Sequence, residues 1–164
     1  MTAETTPART SLERILGSFP YALFVVVAGP GDRASAMVAT WAMQVSFKPP
    51  LIALAIERES RIRKRIDEAG TFSLNLLPAS GKGTAAVFLK SPVADGGSIG
   101  SRPLVFSAHG IPLLGRSASS LGCRVAAVHE AGDHFIYVGE VVDAEIGEGG
   151  EILTLRETGW KYSR

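Results

Sequence analysis

Residues 34–77 read ASAMVATWAMQVSFKPPLIALAIERESRIRKRIDEAGTFSLNLL, and this stretch decides the fold. From Met37 to Ser46 the residues divide into two sets. Val38, Thr40, Ala42, Gln44 and Ser46 share one parity; Met37, Ala39, Trp41, Met43 and Val45 share the other. Successive side chains of a strand point to opposite faces, so this predicts one strand with two distinct faces. Pro49 and Pro50 break its ladder, because proline has no N–H to donate. Leu51 to Ile56 is nearly all apolar, which predicts a strand buried on both faces. Ser60 can cap a helix in which Ile62, Ile66 and Ala69 form one stripe. Arg61, Arg63, Lys64, Arg65, Asp67 and Glu68 form its wet face, and Gly70 ends it. Thr71 to Leu77 alternates again, with Phe72, Leu74 and Leu76 facing one way and Ser73, Asn75 and Leu77 the other.

The same rules extend outward. Residues 1–9 read as a flexible N-terminus, and residues 10–164 as one domain. Thr10 and Glu13 fit a capping box, and Leu12, Ile15, Leu16 and Phe19 repeat at helical spacing to about Gly17. Tyr21 to Ala28 is a β-branched and aromatic run, hence a buried strand, and Gly29 to Asp32 a turn. A helix is predicted from Gly83 to Lys90, then a Gly-, Ser- and Pro-rich loop to Arg102. Short extended pieces follow at 104–106 and 111–114. Leu121 to His129 and His134 to Ile146 form a hairpin through Glu130–Asp133. The pattern predicts a mainly β fold with helical additions, closed as a small barrel.

Bulk properties narrow the function. A chain of 164 residues with 46% apolar content is long enough for one real core. A formal charge of +1 gives no basic field for nucleic acid or an acidic membrane surface. The single cysteine, Cys123, excludes an internal disulfide and fits a reducing compartment. No apolar run approaches the ~20 residues of a membrane span, and the first twenty residues lack a signal-peptide core. A cytoplasmic location is the expectation. His109, His129, His134 and Cys123 share no ligand spacing, so no metal is expected. Ser80 to Thr84 lacks the spacing of a phosphate loop, and no nucleophile elbow appears.

The start of the Ser60 helix has a sharper meaning. Its first N–H groups lack acceptors and the helix dipole is positive there. With Arg58 and Arg61 beside it, that end can hold a phosphate. Thr40 and Ser46 on one strand face, and Asn75 on a later strand, add polar groups around it.

The order of motifs resembles the flavin reductases with the FMN-binding split-barrel fold. Ala39-Thr40-Trp41 through Ser46 to Pro49-Pro50 is similar to that family's strand and double-proline turn. Phe72 with Asn75 three residues on, Gly132-Asp133-His134, and Gly139-Glu140-Val141 resemble its later motifs. Phe88-Leu89-Lys90 and the terminal Gly159-Trp160-Lys161-Tyr162 are also similar, including to the reductase-like domains of diiron flavoproteins.

This resemblance implies roles. The backbone of Val38, Ala39, Thr40 and Trp41 would touch the isoalloxazine edge, and Ser46 and Asn75 would bond ring or ribityl oxygens. Ser60, Arg61 and Lys90, with Arg58, would neutralise the phosphate. His134 would sit at the nicotinamide or flavin face, with Trp160 or Tyr162 closing the site. It implies FMN, with FAD possible, NAD(P)H as co-substrate, a homodimer, and a flavin-dependent monooxygenase as possible recipient of reduced flavin. The rival expectations are an FMN electron carrier without nicotinamide activity and a non-catalytic split-barrel binding module.

Overall fold

The computed structural model describes residues 7–161, with side chains from Ser11 onward. Helix α1 spans Pro7–Leu16. It starts ahead of the predicted capping box, so Thr10 lies inside it, and Pro7 to Arg9 are helical rather than loose. Proline is tolerated there because a first-turn N–H has no helical acceptor. Leu12, Ile15 and Leu16 on α1 remain exposed.

Seven strands form one antiparallel sheet: β1 (Phe24–Ala28), β2 (Ser35–Ala39), β3 (Ala42–Phe47), β4 (Pro50–Glu57), β5 (Thr71–Leu76), β9 (Ser119–Ala131) and β10 (His134–Ile146). Their order is β2-β1-β5-β9-β10-β4-β3. The two outermost strands, β2 and β3, are therefore consecutive in the chain and joined only through Thr40 and Trp41. In a flat sheet six strand spacings would separate them by about 29 Å. The link from Ala39 to Ala42 reaches only about 10 Å. The sheet must curl until its edges meet, which makes it a barrel with a corner at Thr40–Trp41. The single strand predicted from Ala34 to Ser46 is thus two, because closure needs a corner that periodicity does not reveal.

The barrel interior holds Val26, Ala28, Ala39, Ile52, Leu54, Ile56, Phe72, Leu74, Cys123 and Tyr137. Helix α2 (Arg61–Ala69) adds Ile62 and Ile66 to the same cluster, as the spacing predicted, while Ala69, the third residue of the predicted stripe, is only half-buried. Ser60 caps α2, and Gly70 ends it with φ 66°, a left-handed conformation that glycine adopts without a Cβ penalty. Tyr137 Oη donates to Asp67 Oδ1 at 2.5 Å, tying α2 to β10. Burial and the neighbouring carboxylate push the Tyr137 phenol up to about 12, so it remains a donor. Burial likewise pushes the Cys123 thiol up to about 12, and it packs as a small core residue.

A second cluster covers the outside of β1, including Leu23, Val25, Val27, Ala85, Phe88, Ile99, Leu114 and Leu153. It is built from α3 (Lys82–Phe88), β6 (Ser98–Ile99), β7 (Arg102–Phe106), β8 (Pro112–Leu114) and the segment before α4 (Leu155–Thr158). Residues 92–94 shield the outer edge of β2 through Ala36 N to Pro92 O and Ala94 N to Ala34 O. An edge so paired is not open to other chains.

Strand β4 departs from expectation in one respect. Ile52, Leu54 and Ile56 are buried, but Leu51, Ala53 and Ala55 are only half-buried. The outward row Met43–Ala53–Val138–Ala127 runs across β3, β4, β10 and β9 in register. None of these four residues belongs to either core cluster, and Met43 is 66% exposed. The described residues bury only one face of this part of the sheet.

Candidate active site

The barrel corner forms one side of a groove, and the end of β4 forms the other. Its lining is Met37, Val38, Ala39, Thr40 and Trp41 with Ala55, Ile56 and Glu57. The corner is pinned where Ala55 N donates to Trp41 O at 2.9 Å. Antiparallel register sets His134 opposite Glu57, and the His134 ring centroid lies 4.8 Å from that of Trp41, tilted by 40°. His134 is buried and its Nδ1 lies 2.6 Å from Asp133 Oδ1. The carboxylate favours a proton on Nδ1 and fixes the ring orientation.

From Glu57 the chain turns directly into α2. Ser60 Oγ donates to Glu57 O at 2.8 Å and accepts from Arg63 N at 3.4 Å. The groove and the positive end of α2 are therefore contiguous. Arg61 Nη1 donates to Ser91 O at 3.2 Å, which draws the segment carrying Lys90 to the same end. Both Arg61 and Lys90 are exposed.

The structure thus brings together Val38, Ala39, Thr40, Trp41, His134, Ser60 and Arg61, with Lys90 next to Ser91. Four of the predicted residues lie elsewhere in this structure. Asn75 does not face the groove. It is fully buried in the wall of the barrel, where Nδ2 donates to Val25 O and Ser73 Oγ. Its Oδ1 accepts from Leu114 N and Ser120 Oγ, each at 2.9 Å. Two donors and one carbonyl are thereby saturated. Arg58 is turned away from the helix start. The register of β4 against the β9–β10 hairpin carries it to Gly132 O and Glu130 Oε2, both at 3.2 Å. Its guanidinium also lies over the Phe135 ring. Ser46 pairs with Leu51 at the opposite end of the β3–β4 hairpin, about 20 Å along β4 from Glu57. Trp160 packs against the outer cluster rather than over the groove. Tyr162 lies outside the described residues.

Two groups escaped the sequence reading. Glu57 lines the groove because it shares the outward parity of Leu51, Ala53 and Ala55, a signal that was available. Asp133 orients His134, and its place next to the histidine was equally visible.

The groups along the groove and the adjoining helix end are of the kind that suit a flat aromatic ligand ending in an anion. The Trp41 and His134 rings offer stacking surfaces, Thr40 Oγ1 is buried without a hydrogen-bond partner, and the helix end offers N–H groups and Arg61. No group of three or more metal-ligating side chains occurs among the described residues. Among the same residues, no helix is long and apolar enough to cross a membrane.

Comparison with known proteins gives the family. Residues 16–161 match the family model described as flavin reductase like domain. A flavin reductase (NADH) of Kitasatospora aureofaciens is 37% identical over 131 residues, 78% of this chain and 67% of that protein. The reductase component of 4-hydroxyphenylacetate 3-monooxygenase of Thermus thermophilus is 29% identical, covering 93% of this chain and 95% of the relative. The solved NADH:FAD oxidoreductase SgcE6 of Streptomyces globisporus C-1027 superimposes with a TM-score of 0.77 at 25% identity. That match covers 100% of this chain and 98% of the other.

Proposed function

The chain belongs to the flavin reductase-like family, and from that membership we propose that it transfers a hydride from reduced nicotinamide to a flavin bound in the Thr40–Trp41 groove. The observation that carries this assignment is the groove itself. It runs beside the tilted Trp41–His134 ring contact and reaches the positive end of α2 through Glu57 and Ser60.

A bound flavin supplies the hydride acceptor, so the protein needs no acid–base pair of its own. The corner backbone, held by the Ala55 bond to Trp41 O, presents a fixed edge to the ring. His134, oriented by Asp133, limits the positions a nicotinamide can take. Holding donor and acceptor in near-attack geometry is the main source of rate in such a reaction. FMN suits the helix end because Arg61 and the first N–H groups of α2 neutralise a phosphate. FAD suits it as well, since that end opens to solvent. Reduced flavin released there can serve a flavin-dependent monooxygenase.

Replacement of Arg61 tests the phosphate position. A charge-assisted contact to an anion contributes about 1.5–3 kcal/mol, so Arg61→Ala should weaken FMN about ten- to hundredfold. Riboflavin, which lacks the phosphate, should bind that variant nearly as it binds the parent. Equal losses for both flavins in a fluorescence titration would remove Arg61 from the site.

We assign a homodimer to the uncovered sheet face. Its small residues, Ala53, Ala55 and Ala127, allow a second sheet to approach closely, and a two-fold contact pairs the patch with itself. The face borders the groove through Ala55, so each copy would wall the other's site. Light scattering should give twice the chain mass of 17.3 kDa. Ala53→Arg should halve that mass and lower activity. A monomeric parent with full activity would count against this assembly.

A further inference from the structure

We propose that Arg58 is a positioning residue for His134: its guanidinium ties the tip of the β9–β10 hairpin to the junction of β4 and α2, and so holds the imidazole against Trp41. This rests on the flavin reductase assignment and extends it to a side chain that lies outside the groove.

The hairpin closes without help. Gly132 and Asp133 alone join β9 to β10, and Gly132 has φ 62°, a positive value of the kind that two-residue hairpin turns need. His134 pairs with Ala131 across the turn and with Glu57 on β4. Glu57 is the last residue of β4, so the ladder that holds the hairpin to β4 ends at the histidine itself. Past that point Arg58 takes over. Its backbone N donates to Asp133 O at 3.0 Å. Its Nη2 donates to Gly132 O and to Glu130 Oε2, both at 3.2 Å. Its guanidinium carbon lies 4.5 Å from the centroid of the Phe135 ring. Residues 132, 133 and 135 are thus all held by Arg58, and His134 lies among them.

Helix α2 braces the same point. Arg63 Nη1 donates to Arg58 O at 2.9 Å, and its guanidinium lies 4.6 Å from the same Phe135 centroid. The ring face attracts each cation. The two cations repel one another, and Asp67, 3.3 Å from Arg63 Nη2, offsets part of that charge. Glu130 contributes least to the clamp. Its side chain is 73% exposed, and surface ion pairs contribute little. The Gly132 carbonyl and the Phe135 ring carry the contact, and a small misplacement of a group beside the reacting pair is costly in rate.

Arg58→Ala, Arg58→Lys, Glu130→Gln, His134→Ala and the double variant Arg58→Ala/His134→Ala are to be compared with the parent. The measurements are steady-state reduction of FMN by NADH and by NADPH, and amide hydrogen exchange of the flavin-free protein across residues 132–136. Arg58→Ala should lower kcat/KM for the nicotinamide about tenfold and leave the KM for FMN near the parent's. It should speed exchange across the hairpin tip about tenfold. Arg58→Lys keeps a charged donor but not the planar fork, and should fall between the two. Glu130→Gln should match the parent in both measurements. The double variant should be no slower than His134→Ala, because Arg58 acts through the histidine. Additive losses in the double variant, or parental kcat/KM or parental exchange in Arg58→Ala, would overturn the proposal while leaving the reductase assignment in place. Parental kcat/KM in His134→Ala would overturn it too, since Arg58 would then have nothing to position. A parent that oxidises neither nucleotide would overturn the assignment itself, and the proposal with it.

Discussion

Asn75→Ala is expected to destabilise the fold by about 3–5 kcal/mol, the largest loss of any single substitution considered for this chain. The amide closes a network among four strands. It takes donors from Leu114 N and Ser120 Oγ and supplies Val25 O and Ser73 Oγ. Truncation strands the buried N–H of Leu114 and the buried hydroxyl of Ser120, and each unpaired group costs roughly 1–3 kcal/mol. Ser73 keeps a bond to Pro112 O at 2.7 Å, which limits the damage on its side. In a domain of this size the melting temperature should fall by about 10 °C or more. Asn75→Asp should fare as badly, because a carboxylate has no hydrogen to donate to Val25 O. At a temperature where the variant is still folded, its flavin affinity should match the parent's. A variant of parental melting temperature and weakened flavin binding would return Asn75 to the site.

The second large effect concerns His134. His134→Ala should slow hydride transfer or raise the KM for reduced nicotinamide, by about 10–100-fold in kcat/KM. The ring is fixed on two sides, by Asp133 Oδ1 at 2.6 Å and by the Trp41 indole at 4.8 Å. Removing it frees Trp41 to move and opens the space a nicotinamide would occupy. Flavin affinity should fall far less than kcat/KM, and melting temperature should change little, since the side-chain bond lost is to the adjacent Asp133. His134→Asn keeps a planar group and a donor and should recover part of the rate. Anaerobic stopped-flow reduction of bound flavin, run beside thermal melts, separates the alternatives. If both variants melt early yet reduce flavin at the parental rate, the histidine serves only the β9–β10 hairpin.

Asn75 and His134 also mark what the sequence can and cannot reveal. Alternation in β5 correctly divided Phe72 and Leu74 from Ser73 and Asn75. It could not tell which face met solvent, because the cover on the second face comes from β8, about forty residues later. Asn75 on that face has the chemistry of a cofactor contact, and in this structure it bonds Val25, Ser73, Leu114 and Ser120 instead. The run Leu51 to Ile56 predicts burial on both faces, yet the described residues cover only one. That excess of apolar character is what the proposed second copy would absorb. The corner at Thr40–Trp41 left no periodic signal, since it follows from barrel closure, a property of all seven strands together. Local signals fared best: the Ser60 cap, the α2 stripe, the Gly70 stop and the Asp133–His134 turn each depend on residues within a few positions. Arg58 shows the limit of such reading. Its place beside the helix start was right in sequence, and strand register then turned its guanidinium to the neighbouring hairpin.

The central claim is that this chain passes a hydride from reduced nicotinamide to flavin. Its most direct test mixes the purified protein with FMN and NADH, then with FMN and NADPH, and follows the nicotinamide absorbance band. The groove predicts consumption of at least one of the two nucleotides at a rate that saturates in both substrates and far exceeds the spontaneous reaction. A rate equal to that of flavin and nucleotide without protein, for both nucleotides, would contradict it.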